Sequence, residues 1–343
     1  MVLCAKVPKS EAEALRRKLI EAGAFDPGYV PAKDEKSVFF PVKKASLPSG
    51  MGLSLAQKRL LPRKQRFHSV DEALKGKLSQ KELEHLTRSF DVIGDIAILE
   101  IPDSLKKKEG QVARAVMEVH RQVKTVAKKA GPMEGVFRTR KIKVIAGERR
   151  TMTAYKEHGS RMLVDVAKAY FSPRLSFERK RVAGQVKKGE KILALFAGVG
   201  PFPLAIARRQ PNVEIAAIEL NPDAVRLMKE NVKLNNFGKT IRPIPGDVHE
   251  IVPKKFAGWA DRILMPLPKG AHEFLGDAFA AAKPGCTVHF YHFGPVGSSF
   301  AEAGKLVREA ARKAGRKTKI TGERVVRPYS PQTEQVAIDF SVQ

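Results

Sequence analysis

The sequence predicts an α/β protein whose last part, residues 158–343, is a Rossmann-like domain. A small α+β domain over 1–50, a basic linker over 51–66 and an α+β middle domain over 67–157 precede it. Three observations carry this reading. After Gly159 short apolar runs alternate with helical patterns, the signature of parallel strands covered by helices on both faces. A glycine-bearing turn, Gly198-Val199-Gly200, stands between one such strand and the next helix. A Pro-, Gly- and base-rich stretch between Pro48 and His68 sets the first residues apart, and 343 residues suffice for two or three domains.

Taken in order, Cys4 to Val7 reads as a short strand. Ser10 is placed to cap a helix carrying Ala14, Leu15, Leu19 and Ile20, which Gly23 stops, and Ser37 to Val42 reads as a strand returning beside the first. So small a unit buries little area. The linker gathers Lys58, Arg59, Arg63, Lys64 and Arg66, either a solvated basic run or a phosphate contact. Phe90 to Ile101 reads as a strand pair bent at Gly94 and closed by Pro102. Val112, Val116, Val119, Val123 and Val126 recur every three or four residues, predicting an amphipathic helix with a basic exterior from Lys107 to Ala130. In the last domain strands are predicted at Lys191 to Phe196, Val213 to Leu220, Ile241 to Ile244, Asp261 to Met265, Thr287 to His292 and Val336 to Val342. Helices are predicted at Pro201 to Arg209 and Asn221 to Leu234.

Charge narrows the partners. Lys and Arg number 63 against 36 Asp and Glu, a formal net charge of +27, far beyond what solubility requires. A polyanion is the natural partner, because neutralising phosphates releases counterions. The plainer explanation is a generally charged surface of the kind found in high-salt or high-temperature cells. Cys4 and Cys286 stand far apart in no metal-ligand spacing, which argues against disulfides or zinc and for a reducing, cytoplasmic setting. No stretch approaches 18 consecutive apolar residues, and Lys6, Lys9 and Glu11 interrupt any signal-peptide core, so neither membrane insertion nor secretion is expected.

The turn after the first strand of the last domain, Phe196-Ala197-Gly198-Val199-Gly200-Pro201, lets the backbone press against a ligand. It lacks the third glycine of a dinucleotide fingerprint. Glu219 closes the next strand 21 residues after Gly198, where a doubly wound fold places the acid that grips ribose hydroxyls, with Leu220 beside it. A third acid, Asp247, followed by Val248, is placed to meet an adenine edge. Glycine turn, ribose acid and third acid in this order describe an S-adenosylmethionine pocket better than one for NAD.

At these residues the chain resembles the archaeal and eukaryotic tRNA (guanine-37-N1)-methyltransferases over nearly its whole length. Phe-Ala-Gly-Val-Gly-Pro-Phe is similar to that family's cofactor loop. Lys156 to Gly159, Asp165 to Lys168 and Tyr170 to Leu175 resemble the segment leading into it. The resemblance implies a class I methyltransferase domain with a mixed sheet, S-adenosylmethionine as cofactor, and tRNA bound at its anticodon loop and outer corner, by a monomer. It further implies that Glu178 is a general base, that Arg138 holds the guanine and that Tyr170 is an active-site aromatic. Pro266 lines the cofactor site, where many members carry asparagine, and Ala194 stands where the family often has Asp. Pro201-Phe202 favours the methyltransferases over the related aminocarboxypropyl transferases. Two alternatives stay open: a sister activity on a wyosine-type modified guanosine 37, and a catalytically weakened tRNA-binding protein.

The chemistry asks for such residues. N1 of guanine carries a proton at neutral pH and cannot take a methyl group until a base removes it. A buried carboxylate can serve, with an arginine stabilising the charge that develops on O6. On composition alone, however, Glu178 beside Arg179, Lys180 and Arg181 reads as an exposed helix acid, and Arg138 as a phosphate contact no less than a base contact. Tyr170 and Phe171 read as core, and His272, His289 and His292 as packing rather than metal ligands.

Overall fold

The computed structural model describes residues 1–48, 52–63, 67–135, 137 and 139–343. The chain divides into two compact units, Met1–Glu72 and Ala73–Gln343. In the first, strands Val2–Pro8, Ala32–Lys33, Ser37–Pro41 and Ser54–Lys58 form one antiparallel sheet, with Val2–Pro8 paired to both Ser37–Pro41 and Ser54–Lys58. Alternation puts Ala5, Val7, Val38 and Phe40 in one cluster with Leu19 of the helix Ala12–Glu21, while Cys4 and Phe39 pack on the other face. Part of the predicted linker is therefore a strand. Ser54–Lys58 carries only Leu55 and Ala56 as apolar residues, too few for an alternation signal, and is held at the sheet edge by its backbone ladder to Val2–Lys6. Lys64 and Arg66 of the basic run lie outside the described residues.

In the second unit the short helix Gln80–Glu84 precedes a four-stranded sheet of Asp91–Ile93, Ile96–Leu99, Thr125–Glu134 and Thr139–Gly147, in that order. The long helix expected from Lys107 to Ala130 is corrected here. The helix spans Glu109–Val119, and the chain re-enters the sheet at Thr125, parallel to Ile96–Leu99. Valines spaced by three and four suit one helix face, but β-branched residues also suit a strand, and Val126 and Ala127 gain full burial as one. Gly94 turns the first hairpin at φ +58, and a Cβ there would lie 2.2 Å from Thr153 Oγ1.

A second hairpin, Met152–Glu157 with Ser160–Asp165, leads into the main sheet. We number that sheet β1 (Lys191–Ala194), β2 (Glu214–Glu219), β3 (Ile241–Pro245), β4 (Ala260–Met265), β5 (Ala282–Pro295), β6 (Thr318–Ser330) and β7 (Thr333–Val342). Its helices are α1 (Ser176–Gln185), α2 (Pro201–Arg209), α3 (Pro222–Leu234), α4 (Val248–Lys255), α5 (Leu275–Ala281) and α6 (Ser299–Lys313). Strand order is β3-β2-β1-β4-β5-β7-β6, parallel as far as β5, with β7 antiparallel to both neighbours. Ile192 and Ala194 of β1 join the cluster holding residues of α1, α2 and α3; Leu193 and Leu195 join the opposite one, with residues of α4, α5 and α6. The order reverses between β1 and β4, and ligands of open α/β sheets bind outside the carboxyl ends at such a point. Asn231 of α3 and Asn235 at its C-cap bond the backbone of Leu163 and Arg161, tying the hairpin to that helix.

Both cysteines are free and buried, and burial pushes the Cys286 thiol up to about 12. We expect Cys286 in the folded protein to resist iodoacetamide near pH 8 and to react once urea unfolds the chain. Rapid labelling of Cys286 in the native protein, read by peptide mass spectrometry, would contradict its burial. Among the described residues no helix is long and apolar enough to cross a membrane, and no acid, histidine and cysteine cluster is arranged to hold a metal ion.

Candidate active site

The turn after β1 is built from backbone geometry. Phe196 takes φ +54 and Gly198 and Gly200 take φ +58 and +88, so three left-handed residues fold the chain from strand to helix. Leu195 N–H donates to Leu264 O of β4, and Ala197 N–H to Ile218 O of β2, at 3.0 Å each, which seats the turn across the switch point. Val199 is fully buried, and Asn231 Nδ2 donates to its carbonyl at 3.0 Å. Pro201 starts α2 in its first turn, where no intrahelical N–H is lost.

Glu219 ends β2 directly beside this turn. Its Oε2 accepts from Gly198 N–H at 2.7 Å and its Oε1 from Asn221 N–H at 2.8 Å. Burial pushes the Glu219 carboxyl upward, and the N–H groups of Asn221, Gly198 and Leu220 pull against it. Each oxygen retains accepting capacity for a hydroxyl. Leu220 is partly exposed, and Asp247 caps α4 by accepting from His249 N–H at 2.8 Å, with Val248 buried behind it. Pro266 follows β4 and is half-buried. Phe196 packs edge-on to Phe274 at 4.7 Å, and His249 stacks on Phe274 at 4.2 Å. S-adenosylmethionine fits this donor set: a paired acceptor for a ribose diol stands beside Gly198, where an added Cβ would meet only Tyr170 O at 3.8 Å.

The second half of the site lies on α1. Glu178 is 2% exposed, so the solvated acid that composition suggests is not what forms. Its carboxylate accepts from Arg181 Nε at 3.0 Å on both oxygens, from Arg181 Nη2 at 2.6 Å on Oε1, and from the Tyr291 hydroxyl at 2.8 Å on Oε1. Arg324 Nε of β6 stands 3.5 Å from Oε2. Tyr291 in turn packs its ring 6.1 Å from that of Phe202 in α2, so one side chain separates Glu178 from the helix that the glycine turn opens. Arg179 faces elsewhere and is buried against Glu157, with Nε–Oε1 and Nη2–Oε2 both 2.6 Å. It also donates to Ser172 O, bracing the turn Pro173–Leu175 that leads into α1.

Of the expected residues, Glu178 and the glycine turn are thus brought together through Tyr291 and Phe202, and Tyr170 lies by the turn with its backbone carbonyl near Gly198. Its side chain is 44% exposed, whereas Phe171 is buried against Tyr155 and Arg179. Arg138 lies outside the described residues. Arg181, Tyr291, Arg324 and Asp339 were not singled out from sequence. A signal existed for two of them: a tyrosine in the apolar run of β5 and a lone acid in that of β7 each need a buried polar partner.

The strand order, the glycine turn and the acid closing β2 define a class I, S-adenosylmethionine-dependent methyltransferase domain. The TRM5/TYW2 methyltransferase domain matches residues 153–321, the TYW2 N-terminal domain 70–151 and the tRNA methyltransferase 5 N-terminal domain 4–48. The chain belongs to the TRM5/TYW2 methyltransferase family. It is 42% identical to the tRNA (guanine(37)-N(1))-methyltransferase Trm5b of Pyrococcus abyssi, over 100% of this chain and 99% of that one. It is similar to the solved complex of aTrm5 with tRNALeu (TM-score 0.78, 32% identity, 99% and 100% of the two chains). It is also similar to Methanocaldococcus jannaschii Trm5 in complex with adenosine (TM-score 0.67, 32% identity, 99% of each).

Proposed function

We propose that this enzyme transfers a methyl group from S-adenosylmethionine to N1 of guanosine 37 in tRNA, with Glu178 as general base. The observation that carries the reading is the burial of Glu178, whose carboxylate faces Arg181, Tyr291 and Arg324 in place of a hydration shell. Such an acid is held for a purpose other than solubility. Glu178 removes the N1 proton, and Arg138 stabilises the charge on O6. Tyr170, partly exposed at the mouth of the glycine turn, is available to stack on the base.

S-adenosylmethionine supplies an electrophilic methyl group on a sulfonium. Glu219 would accept its ribose hydroxyls and Asp247 would meet its adenine edge, while Phe196, Ala197, Gly198, Val199 and Gly200 of the turn, with Leu220, Val248 and Pro266, would complete its site. The remaining work of the protein is alignment.

Because N1 lies on the Watson–Crick edge, the target must be unpaired, which suits an anticodon-loop purine. The first unit reaches the outer corner of the tRNA, the +27 net charge holds the backbone, and the enzyme acts as a monomer in the cytoplasm. The test is incubation with methyl-labelled cofactor and an unmodified tRNA transcript, followed by digestion to nucleosides. Labelled 1-methylguanosine from position 37 is expected. No label on this transcript but transfer to a tRNA that already carries a tricyclic wyosine-type base, or cofactor binding without transfer to either, would overturn the assignment. In the same assay, removing Met1–Glu72 should weaken use of whole tRNA more than of an anticodon stem-loop; equal effects refute the outer-corner role.

A further inference from the structure

The groups around Glu178 form one continuous, largely buried array whose hydrogen bonds fix where most of its protons lie. Arg262 is paired with Glu190 through Nε–Oε2 at 2.7 Å and Nη2–Oε1 at 2.9 Å. Its Nη1 lies 2.7 Å from His289 Nε2; a guanidinium only donates, so that nitrogen accepts and the imidazole proton sits on Nδ1. Nδ1–H then donates to Asp339 Oδ1 at 2.7 Å. Burial pushes fully buried His289 below its ordinary value, in keeping with a neutral ring. Asp339 accepts from Arg181 through Nη1 and Nη2, the latter at 3.2 Å. Burial works to raise the Asp339 carboxyl, but the His289 and Arg181 hydrogen bonds outweigh it and hold it well below the usual range.

The two oxygens of Glu178 are left unequal. Oε1 takes the Tyr291 hydroxyl and Arg181 Nη2, which fills both its lone pairs. Among the described residues Oε2 takes only the longer, shared contact from Arg181 Nε; Arg324 Nε faces it at 3.5 Å without forming a hydrogen bond, and that buried nitrogen has no hydrogen-bond partner among them. Burial pushes the Tyr291 phenol well above its ordinary value, so it stays a donor.

We infer that Tyr291, together with the Arg181–Asp339 pair that His289 backs, is a positioning system which occupies Oε1 of Glu178 and so makes Oε2 the atom that accepts the substrate proton. The inference rests on Glu178 being the base. In the step it serves, the N1–H bond breaks, the proton binds Oε2 to give a carboxylic acid, and the electron pair left on N1 bonds the methyl carbon as that carbon's bond to the sulfonium sulfur breaks, its pair staying on sulfur as a neutral thioether leaves. Neither Tyr291 nor Asp339 touches substrate in this scheme; each acts through Glu178.

A double-mutant cycle tests it on the full-length enzyme with tRNA transcript and S-adenosylmethionine. Tyr291→Phe removes one hydroxyl and nothing else. It should lower kcat about tenfold or more, with KM for both substrates changed less than about twofold, since the lost bond is to a charged group. In a Glu178→Gln background the same substitution should change turnover by less than about twofold, because the residue through which it acts has gone. Asp339→Asn, which weakens the hold on Arg181, should follow the same pattern. An equal fall in both backgrounds, or a wild-type kcat for Tyr291→Phe, overturns the positioning role. Wild-type turnover by Glu178→Gln alone overturns the base assignment beneath it, a result distinguishable from the other two.

Discussion

Glu178→Gln lowers single-turnover methyl transfer by roughly 10²- to 10⁴-fold, the range a general base supplies, while tRNA affinity stays within about twofold of wild type. The amide is nearly the same shape as the carboxylate but has no basic oxygen. Its carbonyl can still accept from Tyr291 and Arg181 in the place of Oε1, and Arg181 keeps its second carboxylate partner, Asp339. The substitution therefore removes the proton acceptor without leaving Arg181 unpaired in the interior, which separates a chemical loss from an unfolding one. Affinity for tRNA rests on many phosphate contacts that a 2%-exposed residue does not make. Transfer measured by rapid quench and binding by filter retention decide the matter, and an unaltered transfer rate removes Glu178 from the mechanism.

What the sequence disclosed and what it withheld divide along a physical line. The helix at Pro201–Arg209 and the cap at Asn221, whose Oδ1 accepts from Asp223 and Ala224 N–H, are local devices, and both stand where spacing predicts them. So does the glycine turn, whose positive φ angles require what the sequence supplies. The run Glu178-Arg179-Lys180-Arg181 reads as a solvated face because, the local Glu178–Arg181 pair apart, the groups that bury its charges are far along the chain. Glu157 takes Arg179, Asp339 takes Arg181, and Lys180 alone of the three cations is exposed. Edge strands were missed for a related reason. Ser54–Lys58 and β6 expose much of both faces and carry charges and a glycine or proline nearby, so no period-2 apolar pattern marks them. Their pairing lies in the backbone, which composition does not register. The hairpin Met152–Asp165 likewise depends on Asn231 of α3 and Asn235 at its C-cap as edge partners.

Breaking the Arg179–Glu157 pair should destabilise the second unit more than any surface change. Arg179 is 1% exposed and Glu157 8%, joined by two bonds of 2.6 Å, and among the described residues the Ser172 carbonyl is the one hydrogen-bond acceptor left to the guanidinium if the carboxylate is removed. Glu157→Ala leaves a buried cation without a counter-charge, at a cost of about 3–5 kcal/mol. For a unit of this size that corresponds to a fall in Tm of roughly 10 °C. Replacing both partners by apolar residues, Glu157→Leu with Arg179→Met, should recover much of the loss, because the penalty belongs to the orphaned charge rather than to the missing attraction. Stability recovered this way need not restore turnover. Arg179 also holds Ser172, the residue before the turn that sets the start of α1, and Glu178 lies on the first turn of that helix. The double variant is therefore expected to fold, to melt near the wild-type temperature and to transfer methyl groups slowly. Thermal melts followed by circular dichroism, paired with the transfer assay, read both quantities; a Glu157→Ala protein melting within about 2 °C of wild type would contradict the buried pair.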